Sequence, residues 1–174
     1  MLRRLLVLTV TTIVVIPLGG CSRDTRRDAP TTTNTAAPAA STVVPTSAGA
    51  EAELLAAYNR SWEVYADALR RLDGSRLPTV FAGSALRAAR DEVATQKAKN
   101  QPVRISVVHR SRVLRVTATE GLVEDNYRNH SVVLNPTTGE PAEPDPNEVV
   151  QQRQSLKRIG GVWKVVEVIE EQRS

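Results

Sequence analysis

Residues 156–165, Leu-Lys-Arg-Ile-Gly-Gly-Val-Trp-Lys-Val, place two adjacent glycines between two runs rich in β-branched residues. Paired glycines accept the positive φ angles of a two-residue hairpin turn at no steric cost. The sequence therefore predicts a β-hairpin of strands 149–159 and 162–169. In its simplest register Arg158 faces Trp163, which brings a guanidinium over an indole ring.

The same register makes two further predictions about facing side chains. Lys157 faces Lys164, an unfavourable pair of like charges that argues for a longer turn. Gln154 faces Glu167, and this pair lines a pocket or lies on the surface.

The chain upstream of the hairpin is also rich in strand signals. Apolar residues alternate over 103–108, and β-branched residues recur over 113–123, which predicts two strands. The polar stretch 124–131 predicts a turn or bulge before a short strand at 132–134. The proline-containing stretch 140–147 predicts an exposed loop.

A long amphipathic helix precedes these strands. Between Glu51 and Asp73 apolar residues recur at steps of three or four, and Gly74 follows in the place of a C-cap. Ser84 can cap a further helix that runs to about Lys99. The apolar positions of the first helix are Leu54, Leu55, Tyr58, Trp62, Tyr65, Leu69 and Leu72.

Two or three helices followed by about five antiparallel strands form an α+β unit, in which the helices cover the apolar face of the sheet. This order, the segment 80–86 and the closing hairpin resemble the NTF2-like superfamily, also called the SnoaL-like or cystatin-like cone fold. The resemblance spans about residues 51–170. It implies a curved sheet wrapped around the first helix, a pocket at the open end and dimerisation through the sheet. Our candidate pocket residues are Tyr58, Trp62, Tyr65, Tyr127, Trp163, Gln154 and Glu167, although aromatic residues at helical spacing are more often part of a core.

The N-terminus has the features of an export signal. Arg3 and Arg4 precede an apolar run over 5–18, which is too short for a typical membrane span. The sequence Leu-Gly-Gly-Cys that ends at Cys21 resembles the lipobox of bacterial lipoproteins, such as the NTF2-like lipoproteins of GC-rich Gram-positive bacteria. The resemblance implies cleavage before Cys21 and a lipid anchor on its thiol, which would hold the protein on the extracytoplasmic face of the membrane. An ordinary secretory signal followed by an incidental cysteine is the alternative.

Composition divides the remaining chain into a tether and a domain. Residues 29–50 contain seven Ala, six Thr and three Pro and no aromatic residue, which predicts a disordered linker. We therefore divide the chain into a signal peptide (1–20), a tether (21–49) and an NTF2-like domain (50–174). Residues 51–174 carry 18 basic and 17 acidic side chains, so the domain lacks the positive field that nucleic-acid binding requires.

The sequence contains no recognisable catalytic motif. Asp125, Tyr127 and His130 are the only close cluster of acid–base residue types, and they fall in the predicted turn. The acidic loop with Glu140, Glu143, Asp145 and Glu148 lacks the spacing of a calcium loop, so we predict neither a metal nor a cofactor.

The sequence thus favours a lipid-anchored binding or accessory module of the envelope, with an envelope protein as one partner. The alternatives are a small-molecule enzyme or carrier that uses the cone pocket, and a structural dimerisation domain.

Overall fold

A computed structural model describes residues 47–171. The predictions for the signal peptide, for Cys21 and for the tether up to residue 46 lie outside the described residues. Helix α1 spans Ser47–Arg71 and helix α2 spans Gly83–Ala98, with a short 3-10 turn at Leu77–Thr79 between them. The two predicted helices are therefore confirmed.

The ends of the helices differ from the prediction in two details. The left-handed residue after α1 is Leu72, with φ 54°, and not Gly74. Ser84 does not cap α2, because its hydroxyl donates a hydrogen bond to the Val166 carbonyl. Gly83 begins α2 at φ +57°, and an added Cβ would lie 3.0 Å from that same carbonyl oxygen. A glycine is thus required where α2 meets the last strand.

Seven strands follow the helices in the described residues: β1 Val103–Arg104, β2 Val107–Val108, β3 Ser111–Val116, β4 Glu120–Asn129, β5 Val132–Val133, β6 Glu148–Ile159 and β7 Val162–Glu171. Five of them form the main antiparallel sheet, in the order β2-β4-β6-β7 with β3 also paired to β4. Strands β1 and β5 form a separate two-stranded sheet. The predicted α+β cone of two to three helices on an antiparallel sheet of about five strands is confirmed.

The predicted turn or bulge at 124–131 is wrong for most of that stretch. Residues 124–129 continue β4, which lies at the centre of the sheet between β3 and β6, and the chain leaves this strand only at 130–131, before β5. Polar residues lie on both faces of β4, and each face supplies partners for them. Glu124 on one face is paired with arginines, and Asp125 on the other accepts hydrogen bonds. Alternation of apolar and polar residues therefore could not reveal this strand.

The closing hairpin is confirmed, with Ile159 opposite Val162 and a two-residue turn at Gly160 and Gly161. The guanidinium of Arg158 lies 4.8 Å from the centroid of the Trp163 ring.

Lys157 and Lys164 do face each other, as predicted. Each lysine ammonium contacts its own acceptor. Lys157 Nζ lies 2.9 Å from the Glu120 carboxylate, and Lys164 Nζ donates a hydrogen bond to the Pro78 carbonyl. The pair is thereby tolerated without a longer turn.

The predicted pairing of Gln154 with Glu167 is wrong. A bulge between Ser155 and Leu156 shifts the register, so that Gln154 faces Val168 and Ser155 faces Glu167. Because successive residues of a strand point to opposite faces, the shift moves Glu167 to the face turned away from α1.

We call the face of the sheet that packs against α1 the inner face. Strand β4 contributes Gly121, Val123, Asp125 and Tyr127 to it, and all four are buried. Phe81 forms an isolated β-bridge with Val165 on β7, and its ring packs 6.2 Å from that of Tyr65 on α1. Within the described residues, no helix is sufficiently long and apolar to span a membrane.

Candidate functional site

The carboxylate of Asp125 is the centre of a hydrogen-bonded cluster on the inner face. Its Oδ2 accepts hydrogen bonds from the Tyr58 hydroxyl and from His109 Nδ1, both at 2.6 Å. Its Oδ1 accepts a bond of 2.8 Å from the Arg110 backbone N–H. Asp125 is fully buried, and these three donors replace the water that its charge would otherwise bind.

The hydrogen bonds decide the protonation state of this cluster. Burial alone would raise the pKa of Asp125, but the bonds from His109, Tyr58 and the Arg110 N–H outweigh burial and hold that pKa below its usual value. Burial and the neighbouring Asp125 charge raise the pKa of the Tyr58 phenol, which therefore stays protonated. An ionised carboxylate can only accept, so His109 carries a proton on Nδ1, and the lone pair of a neutral ring would therefore be on Nε2.

Aromatic rings surround the cluster. The Trp62 ring lies 5.1 Å from His109 and 5.3 Å from Tyr127, and it also contacts Tyr65 at 6.3 Å. The His109 side chain retains 25% of its exposure, whereas Asp125 retains none. The imidazole is thus the part of the cluster that solvent or a ligand can reach.

The structure separates His130 from the other two residues of the predicted acid–base cluster, Asp125 and Tyr127, which both lie on the inner face. Asp125 is paired with His109, while His130 lies at the edge of the domain and its Nδ1 is 2.8 Å from Asp145 of the acidic loop. Tyr127 contacts Trp62 and His109 through its ring. The prediction that Asp125 lies in a solvated loop is therefore wrong.

The predicted pocket residues fall into three groups. Tyr58, Trp62, Tyr65 and Tyr127 meet around the inner face, and Gln154 is buried on the same face. Trp163 lies apart from them at the hairpin end, under Arg158 and beside a shallow groove that Glu53 and Arg60 also line. Glu167 is exposed on the opposite face.

Sequence reasoning missed His109 and Gln152. His109 lies between β2 and β3, at the position where the chain passes over Asp125. Gln152 is buried directly opposite Asp125, and its Nε2 lies 3.4 Å from the Tyr58 hydroxyl. No local pattern marks these residues, because their partners are brought together only by the pairing of β3, β4 and β6. A second groove, between the end of α1 and α2, includes Asp73, Arg90 and Lys97 and lies outside the cluster.

Metal ligation finds no support in the described part of the chain. Across residues 47–171, no group of three or more His, Cys, Asp or Glu side chains is arranged to hold a metal ion.

The sequence matches no protein-family model and no curated protein. Solved structures nevertheless share its architecture. The intermembrane-space region of the chloroplast protein ARC6 is 17% identical, with a TM-score of 0.53 over 66% of this chain and 91% of that chain. The protein Aln2 from a Streptomyces species is 14% identical, with a TM-score of 0.51 over 69% of this chain and 90% of that chain.

A third structure names the fold. A domain from Nostoc punctiforme with a cystatin-like fold is 11% identical, with a TM-score of 0.50 over 71% of this chain and 78% of that chain. The described domain has the NTF2-like, or cystatin-like, cone fold. The predicted resemblance is confirmed at the level of the fold. Because the NTF2-like fold carries many unrelated activities, function must be argued from the cluster itself.

Proposed function

We propose that the chain is a lipid-anchored module on the extracytoplasmic face of a bacterial membrane, and that its NTF2-like domain acts by binding. The observation that supports a binding function is the hydrogen bonding of the Asp125 carboxylate. A carboxylate that served as a base would need a lone pair within reach of substrate, but Asp125 is fully buried and already accepts bonds from Tyr58, His109 and the Arg110 backbone. The inner carboxylate thus stabilises the domain.

The anchor and the tether support the proposed location. The lipobox resemblance ends at Cys21, and acylation of that residue with two or three chains would give stable attachment. The linker that follows would hold the domain away from the bilayer.

Fractionation of cells that express the Cys21→Ala chain tests the anchor directly. Wild-type protein is expected in the membrane fraction and the variant in the soluble fraction or the medium. Membrane association that survives Cys21→Ala would contradict the anchor.

Native mass spectrometry tests the binding function. The Cys21→Ala chain, purified from its native host, is compared under native and denaturing conditions. A mass difference between the two states identifies a non-covalent ligand or partner. If the two masses agree, and crosslinking in intact cells captures no envelope protein, the binding function is wrong.

One observation favours a second candidate function, that of an enzyme that removes a proton from a small molecule. Asp125 fixes the His109 proton on Nδ1, which leaves Nε2 as a base on a partly exposed ring. An aspartate that orients a histidine in this way is a recurrent arrangement in acid–base catalysis.

A general-base reporter separates the two functions. The ring opening of 5-nitrobenzisoxazole requires only a base in an apolar site. An enzyme would accelerate it, and His109→Gln would abolish the acceleration. A binding module would leave the rate at that of buffer. His130→Gln is the matched control, because His130 pairs with Asp145 away from the cluster.

A further inference from the structure

Three carboxylates lie on or beside the inner face of the sheet, and we call them the acidic mouth: Glu92, Glu148 and Glu170. The register places Glu148 opposite Asn129 and Glu170 opposite Gln152, so both belong to the inner face. Glu92 lies on α2, which packs beside β7. Within residues 47–171 none of the three has an ion pair, and Glu92 only accepts a hydrogen bond from Gln96.

The acidic mouth is close to two tyrosines of the aromatic group. Burial first, and then the charges of Glu92 and Glu170, raise the pKa of Tyr65. Burial raises the pKa of Tyr127 as well, with Glu170 and Glu148 among the charges that contribute. Partial burial and the charge of Glu148 raise the pKa of Glu170 itself. Within the described domain, negative charge is therefore concentrated here without an ion-paired basic residue to balance it.

Aromatic faces are the second feature of this part of the inner face. The Trp62 ring meets Tyr127 at 5.3 Å with an interplanar angle of 72°, and it meets Tyr65 at 6.3 Å and 71°. Trp62 and Tyr65 are partly exposed, so a ligand can reach them. The negative faces of such rings attract cations, and indole attracts them most strongly.

A buried acceptor without a partner is the third feature. Gln154 is 5% exposed, lies on the inner face opposite Val168, and its Oε1 has no hydrogen-bond partner among the described residues. A buried amide oxygen is costly to leave unpaired. It calls for a hydrogen-bond donor on a ligand that binds at the inner face.

We propose that the acidic mouth and the rings of Trp62, Tyr65 and Tyr127 bind a small organic cation of the quaternary ammonium type. The methyl groups of such a cation pack against the rings, and its charge is balanced by the carboxylates. Gln154 accepts a hydrogen bond from a hydroxyl or amine group of the ligand. This inference rests on the proposed binding function and names the ligand class.

A titration with choline and with its neutral isostere, 3,3-dimethylbutan-1-ol, tests the charge requirement. The full chain carrying Cys21→Ala has two indole N–H signals in its NMR spectrum, from Trp62 and Trp163. Choline is expected to shift the Trp62 signal saturably and to leave Trp163 at the hairpin end in place, while the neutral alcohol shifts neither. Equal shifts with both compounds, or no saturable shift with choline, would overturn the inference.

Glu170→Gln and Glu167→Gln form a matched pair of variants. Both remove one negative charge from β7, but Glu170 lies on the inner face and Glu167 is exposed on the opposite face. Glu170→Gln is expected to weaken choline binding about threefold to tenfold, and Glu167→Gln to leave it unchanged. Equal weakening of choline binding by the two variants would show that the effect is long-range electrostatic attraction, and it would contradict a local site.

The outcomes separate this inference from the function on which it rests. An uncharged or anionic molecule that copurifies with the chain would refute the cation site and leave the binding function standing. A failure of the binding function itself would appear as equal native and denatured masses together with no crosslinked partner.

Discussion

The Tyr58 hydroxyl donates a hydrogen bond of 2.6 Å to Asp125 Oδ2, across 67 positions of the chain. Both residues are fully buried. The bond joins α1 to the central strand β4, and Gln152 on β6 also approaches the same hydroxyl. The Tyr58 phenol therefore links the helix to two strands of the sheet, so its loss should lower the stability of the whole domain.

Replacement of Tyr58 by Phe removes the hydroxyl and keeps the ring. Asp125 then loses one of its donors while it stays buried, so we expect the free energy of unfolding to fall by about 1–3 kcal/mol. Urea denaturation followed by circular dichroism measures this change. Tyr65→Phe is the control, because no hydrogen bond of the Tyr65 hydroxyl is present in the described residues, and it should cost less than about 0.5 kcal/mol. Equal losses in the two variants would show that the bond to Asp125 contributes nothing.

The depressed pKa of Asp125 predicts a pH dependence of stability. The unfolded chain has an ordinary aspartate with a pKa of about 3.9, whereas the folded value lies lower. The contribution of this group is therefore complete above the unfolded pKa and is lost as the pH falls through the folded pKa. Urea midpoints measured from pH 6 to pH 2 should fall more steeply for the wild type than for Asp125→Asn. Parallel curves would contradict this linkage, and carboxyl NMR titration of the wild type gives the folded pKa directly.

The parts of the fold that sequence predicted are those set by local chemistry. Gly160 and Gly161 determine the hairpin turn, because both adopt positive φ. The spacing of Leu54, Tyr58 and Leu69 likewise marks the buried stripe of α1. In each case the residues that carry the signal are neighbours along the chain or along one helix face.

The parts that sequence missed depend on partners far along the chain. The sequence of β4 is polar although the strand is central. Glu124 can be buried because it pairs with arginines, and Asp125 can be buried because it accepts hydrogen bonds from Tyr58 and His109. Glu167 lies on the opposite face from the one predicted because of a bulge beside Ser155, and no turn residue at that position indicates the bulge. The sequence therefore indicated only part of the candidate site. Its aromatic residues on α1 follow a helical period, but its carboxylate and its histidine follow no such pattern.

Glu124 predicts an unequal response to the loss of its two arginine partners. Its side chain is 6% exposed, and it lies 3.0 Å from Arg112 Nη2 and 3.7 Å from Arg153 Nε. Either arginine can be replaced by Ala at a cost of about 1 kcal/mol, since one cation remains. The double replacement leaves a buried carboxylate unpaired and should cost about 3–5 kcal/mol. Chemical denaturation of the four chains checks the coupling, and simple additivity would contradict it.

Gly121 on β4 lies directly against Leu54 on α1, and an added Cβ would come within 3.0 Å of Leu54 Cγ. Gly121→Ala should therefore destabilise the domain by about 1–3 kcal/mol through overpacking. Leu54→Ala alone should cost about 2–5 kcal/mol, because it leaves a cavity in the core. Combined, the two changes should cost less than their sum, since the smaller side chain at position 54 makes room for the new methyl group. A double-mutant cycle in urea measures the difference, and a sum that is simply additive would mean that the glycine is not required for this close approach.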